Sequence, residues 1–102
     1  MYGLIGSLHT TPEGRHHVIE ALIGSSAGMQ GNVHYLVAAD AEDETAIWIT
    51  EVWESQAAHS ASLHLPAVRD AIELVRPYIT GFGQRIVTVP VVRAGGAPTL
   101  SS

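Results

Sequence analysis

The chain has no cysteine and no lysine. Without cysteine there is no disulfide, no thiolate nucleophile and no thiolate metal ligand. Without lysine there is no Schiff-base chemistry and no lysine general base. The five cations are all arginine (Arg15, Arg69, Arg76, Arg85 and Arg93), scattered along a chain of net charge −5. No basic patch is available to neutralise phosphates, so nucleic acid is not an expected partner. Charged residues make up only 15% of the 102, which fits a small domain that hides part of its surface against a partner. No apolar run approaches the ~20 residues that a membrane-crossing helix needs. Met1-Tyr2-Gly3-Leu4-Ile5-Gly6 lacks the basic-then-apolar pattern of a secretory leader. The expectation is a cytoplasmic protein without membrane contact. Cofactor fingerprints are missing too: no glycine-rich phosphate loop follows a strand, and there is no Gly-x-Ser-x-Gly element. His16 and Glu20 are spaced to share a helix face, but two ligands without a third do not close a metal site. No metal and no cofactor is expected.

What the chain does have is clear patterning. Tyr2 to Thr10 alternates, with Tyr2, Leu4 and Leu8 on one side and Ile5 on the other, and reads as a strand. Thr11-Pro12-Glu13 reads as a helix start, with Thr11 as cap and Pro12 at the first helical position. Val18, Ala21 and Leu22 follow at helical spacing. Asn32–Asp40 and Thr45–Glu54 both alternate around the acidic turn Asp40-Ala41-Glu42-Asp43-Glu44, and so predict an antiparallel hairpin. Ser55 can cap a short helix from Gln56, and Pro66 opens a second helix lined by Val68, Ile72 and Val75 and stopped by Pro77. Ile79–Phe82 leads through Gly83 into a β-branched run, Gln84–Arg93, expected to be the last strand, with Pro90 at an edge or bulge. Residues 1–93 are read as one domain and 94–102 as a Gly/Pro/Ser tail, held in place only if a partner orders it.

The resulting order, β-α-β-β-α-α-β, is that of a ferredoxin-like α+β domain. Apolar residues occur on both faces of the third and fourth strands, so one face should pack on the helices and the other on a second copy. A homodimer built face to face is the expectation.

Glu51-Val52-Trp53-Glu54-Ser55, followed by Ala57-Ala58-His59-Ser60-Ala61-Ser62, resembles the Glu-x-Trp and His-x-x-Ser region of the antibiotic biosynthesis monooxygenase superfamily. Gly31-Asn32-Val33-His34-Tyr35 is similar to its Gly-x-x-x-Tyr strand, and Pro12-Glu13-Gly14 to its first helix entry. The resemblance covers roughly residues 2–92 and implies a dimeric α+β barrel with a pocket between sheet and helices in each subunit. It further implies oxidation of quinols or polycyclic phenols by molecular oxygen without metal or flavin, although other relatives degrade haem. Anthrone-oxidising members place an Asn, a Trp and a Tyr in the pocket. The matching positions here are Ile49, Trp53 and His59, so only the Trp is kept. Haem-degrading members use an Asn on the first strand, where this chain offers Ser7 and His9.

Cofactor-free oxygenation needs a base near neutral pH, an apolar pocket and a surface that orients the ring. His59 is the candidate base and Trp53 the candidate ring-stacking wall. Alternation sends Ile49, Glu51 and Trp53 toward the pocket and Trp48, Thr50 and Val52 toward the partner. Glu51 should be partly buried and paired with a histidine or arginine. Glu51, Ile49, His64 and Tyr35 are the candidate substrate-binding residues. Each has a plainer reading: His59 and His64 as surface histidines near helix ends, Trp53 and Tyr35 as core, Glu51 as a structural hydrogen-bond partner. The function expected is a monooxygenase acting on a small aromatic substrate and O2. The alternative is a ligand-binding or stress-associated dimer of the same fold without catalysis.

Overall fold

Residues 1–91 are described by the computed structural model. The proposed tail 94–102, and Val92 and Arg93 before it, lie outside the described residues. The elements run β1 (Tyr2–Thr10), α1 (Arg15–Ser25), β2 (Asn32–Ala39), β3 (Ala46–Trp53), α2 (Gln56–Ser62), α3 (Pro66–Val75), a 3₁₀ turn (Arg76–Tyr78) and β4 (Ile79–Thr88). The strands form one antiparallel sheet in the order β2-β3-β1-β4. β1 and β2 both pair with β3, so they are parallel to each other with β3 inserted between them. α1 makes that crossover, and the α+β ferredoxin-like expectation holds.

Val18 of α1, Val75 of α3, Leu8 of β1 and Ile47 of β3 form the buried cluster that joins the helices to the sheet. Alternation along β3 is the reason: Ile47 and Ile49 point into this layer, while Trp48 and Thr50 point to the uncovered side. Cross-strand register carries the same division across the sheet. Leu36, Thr50, Ile5 and Ile86 are successive partners on the uncovered face. Tyr35, Glu51, Leu4 and Val87 are successive partners on the helix face.

Two boundaries differ from the sequence reading. α1 starts at Arg15, and Pro12-Glu13-Gly14 is a turn whose Gly14 N–H donates to Thr11 Oγ1 at 3.1 Å. Thr11 therefore caps the turn instead of the helix. β4 occupies Ile79–Thr88, not Gln84–Arg93. The reason is a bulge opposite Ser7. Gln84 N–H donates to Ser7 Oγ at 2.9 Å, the register slips between Gly6 and Leu8, and Gly81 and Phe82 stay in the ladder with His9 and Leu8. At the other end Pro90 has no N–H to continue it.

The β2–β3 hairpin is closed by Asp40, which accepts from Trp48 Nε1 at 2.7 Å and from the backbone N–H groups of Glu42 and Asp43 at 2.9 Å each. These bonds, the Trp48 one foremost, lower its carboxyl pKa from 3.8 to about 2. A depressed folded-state pKa contributes stability above the unfolded value of 3.8, and that contribution is lost as the pH falls toward 2. Between pH 5 and pH 2 the urea midpoint of Asp40→Asn is therefore expected to fall less steeply than that of the wild type. Parallel slopes would show that Asp40 is not part of the acid limb.

Candidate functional site

Between the helix face of the sheet and α1, α2 and α3 lies a cavity of about 300 Å³. Its wall is mostly aliphatic, built from side chains such as Leu22 of α1, Val68 and Ile72 of α3 and Ile49 of β3. The ionisable side chains on the wall are Tyr35, Glu51 and His59. They gather around the Glu51 carboxylate. Glu51 faces Tyr35 directly across the β2–β3 ladder. Its Oε1 accepts the Trp53 indole N–H at 2.9 Å, and the same oxygen lies 3.8 Å from His59 Nε2. The two side chains of that pair are only 13% (His59) and 18% (Glu51) exposed, so the contact is shielded from bulk water in a way a surface pair is not.

Local folding fixes each of these groups. Ser55, in extended conformation, accepts the Ala58 N–H at 3.1 Å and starts α2 immediately after β3. His59 then falls about one turn into the helix and swings back over the end of β3. Its ring sits 5.7 Å from that of Tyr2 and 5.5 Å from that of Trp53, edge-on to the indole at 66°. Gly31 makes the docking of α2 possible. It has φ +80, and a Cβ there would lie 2.6 Å from the Cβ of Ala58. Its carbonyl accepts the Glu54 N–H at 2.8 Å and ties the start of β2 to the β3–α2 junction. The glycine four residues before Tyr35 is thus needed for the placement of His59.

Tyr35 has its hydroxyl pKa pushed up to about 12, by burial first and by the negative charge of Glu51 second. It is a neutral hydrogen-bond donor at any physiological pH. The Trp53 side chain is 1% exposed and closes the wall beside Glu51.

Of the residues singled out from sequence, His59, Trp53, Glu51, Ile49 and Tyr35 line one cavity. His64 does not line it. It is exposed in the connection between α2 and α3. Ser7 and His9 alternate onto the opposite face of β1 from Leu8; Ser7 serves the β4 bulge and His9 Nδ1 lies 4.0 Å from Asp43. Tyr2, which the sequence reading does not single out, flanks His59 without lining the cavity. Its shared parity with Leu4 and Leu8 was the signal available for that placement. His16 and His17 are stacked with each other at 4.0 Å, and His17 stacks on Tyr78 at 5.0 Å. Among the described residues no group of three or more His, Asp or Glu is arranged to hold a metal ion. No described helix is long and apolar enough to cross a membrane.

The family model for antibiotic biosynthesis monooxygenase matches residues 1–74. Among solved structures, a Chloroflexus aurantiacus J-10-fl protein provisionally described as an antibiotic biosynthesis monooxygenase is 47% identical. The match covers 92% of this chain and 96% of that one, with a TM-score of 0.88. A Deinococcus radiodurans protein with the same provisional description is 23% identical over 93% of this chain and 97% of that one, with a TM-score of 0.75. A mutant form of SnoaB, a cofactor-independent oxygenase from Streptomyces nogalater, is 12% identical over 92% and 96% of the two chains, with a TM-score of 0.70. The last two likenesses speak to the fold alone. No curated protein sequence matches the chain.

Proposed function

The chain belongs to the antibiotic biosynthesis monooxygenase family, and from that premise we propose that it is a cofactor-independent monooxygenase that oxidises a small quinol or phenol-type aromatic with molecular oxygen. The observation that carries this reading is the mostly apolar cavity with a polar corner where His59, Glu51 and Trp53 meet. An aromatic ring lies against the aliphatic wall and the Trp53 indole, and its hydroxyl or activated carbon is presented to His59. His59 takes the proton as general base. The resulting anion passes one electron to O2. The superoxide and carbon radical combine to a hydroperoxide at the ring carbon. Loss of water leaves a new carbonyl, one oxygen atom in the product and one in the water.

Glu51 supports the proton transfer. When His59 becomes an imidazolium its Nε2 already lies 3.8 Å from a carboxylate oxygen, so the new positive charge is compensated at once. The proton moves within the cavity, whose net charge does not change. Ile49 does not supply the polar group found in anthrone-oxidising relatives. Tyr35 and Glu51, one step along the same face, are the donor and acceptor in its place.

The second part of the proposal is a homodimer joined through the uncovered sheet face. The row Leu36–Thr50–Ile5–Ile86 crosses that face, with Trp48 and Val52 on the same side, and both Leu36 and Ile86 are exposed in the single chain.

The direct test is oxygen uptake. Purified protein stripped with a chelator, given a menadiol-type quinol, is expected to consume O2 well above the uncatalysed rate and in proportion to protein. Ligand binding without acceleration would favour the alternative, a non-catalytic small-ligand-binding dimer.

A further inference from the structure

The charge of the cavity is lopsided. Among the described residues, Glu51 is the carboxylate on its wall and no lysine or arginine lines it. One of the two Glu51 oxygens, Oε1, is taken by the Trp53 N–H and faces His59. Among the described residues no hydrogen bond is made to the other, Oε2. Glu51 is therefore an acceptor with spare capacity in an apolar space. A ligand hydroxyl satisfies it. A ligand carboxylate offers no proton and adds a second negative charge with no cation to offset it.

We infer that the cavity is a charge filter set by Glu51: it admits uncharged aromatic hydroxyl compounds of one or two rings and turns away carboxylated rings of the same size. The size limit follows from the volume of about 300 Å³, at the low end of the roughly 300–1,000 Å³ of small-molecule pockets. The protein carries its own indicator of the filter. Tyr35 is a phenol held in this wall, and burial together with the Glu51 charge pushes its pKa up to about 12. An environment that makes a resident phenol harder to ionise disfavours an incoming anion by the same two effects. The inference rests on the reading that this cavity is where substrate binds. It does not depend on turnover.

The experiment is a calorimetric titration at pH 8, above the usual range of histidine protonation, with three probes: 1-naphthol, 1-naphthamide and 1-naphthoate. The naphthamide has the size and shape of the naphthoate without its charge. Wild-type protein is expected to bind the naphthol and the naphthamide with affinities within about three-fold of each other, and the naphthoate more than about ten-fold more weakly. Glu51→Gln keeps an acceptor for the Trp53 N–H and is expected to bring the naphthoate within about three-fold of the naphthamide. Naphthoate binding as tight as naphthamide in the wild type would overturn the inference. So would a gap undiminished in Glu51→Gln, or failure of all three probes to bind. The wild-type naphthamide–naphthoate comparison decides the matter if the variant does not fold. Charge discrimination without oxygen uptake would sink the proposed reaction and leave the filter standing. Oxygen uptake without discrimination would do the reverse.

Discussion

Replacing His59 with alanine is expected to lower kcat for quinol oxidation by about 10²–10⁴-fold, the usual worth of a positioned general base, with a much smaller change in KM. Among the described residues the imidazole is the only histidine on the cavity wall, and Glu51 and Trp53 hold its surroundings in place. Alanine is a better helix former than histidine, and Ser55 still caps α2, so the fold should survive the change. His64→Ala is the matched control. It removes an exposed imidazole from the next turn of chain and should leave both constants as they were. Steady-state oxygen uptake on the two variants, with far-UV circular dichroism to verify folding, separates the roles. A His59→Ala enzyme that keeps a third or more of the wild-type kcat would remove His59 as the base.

Glu51 is what distinguishes this arrangement from a lone histidine in a greasy pocket. A phenol that loses its proton in an apolar cavity leaves a poorly solvated anion. In the proposed reaction the proton stays nearby on an imidazole that already faces a carboxylate. Poor solvation raises the energy of the anion and makes it a stronger one-electron donor to O2. In the proposed reaction the cavity works by preventing water from stabilising the reactive species.

The parity of β3 was legible in the sequence because alternation is a strict geometric consequence of a strand. Once Trp53 was assigned inward, Ile49 and Glu51 had to follow, and Trp48 had to face away. The cap at Ser55 was equally readable, since a serine between an alternating run and a helical one has a specific hydrogen bond to make. The start of β4 was not. Its true extent depends on Ser7 catching the Gln84 N–H across the sheet, a contact between residues far apart in sequence. The meaning of Ile49 was also hidden. Taken alone, it is a lost polar group. Only the register, which sets Tyr35 opposite Glu51, shows a donor and an acceptor two residues further along the same face. His64 has no sequence feature that separates it from His59, and only the α2–α3 connection shows that it lies exposed and off the cavity wall.

Trp53 carries the largest expected effect on stability. Trp53→Ala should cost about 3–5 kcal/mol, the range for removing a large buried aromatic, out of the roughly 5–15 kcal/mol that holds a domain together. The indole is 1% exposed and is among the largest fully buried side chains of the described residues. Its loss opens space beside Tyr2 and His59 and also strips Glu51 of the N–H at 2.9 Å that it accepts. The two contributions are separable. Trp53→Phe keeps a ring in the wall but not the donor, and should lose about 1–3 kcal/mol, the cost of leaving a partly buried acceptor without its partner. Urea unfolding at one fixed protein concentration measures both, because stability that includes association varies with concentration. A loss below about 1 kcal/mol for Trp53→Ala would mean that the helices close over the gap and that packing at the end of β3 does not depend on the indole. Equal losses for the two variants would mean that the hydrogen bond to Glu51, and not the ring, fastens the polar corner of the cavity to the core.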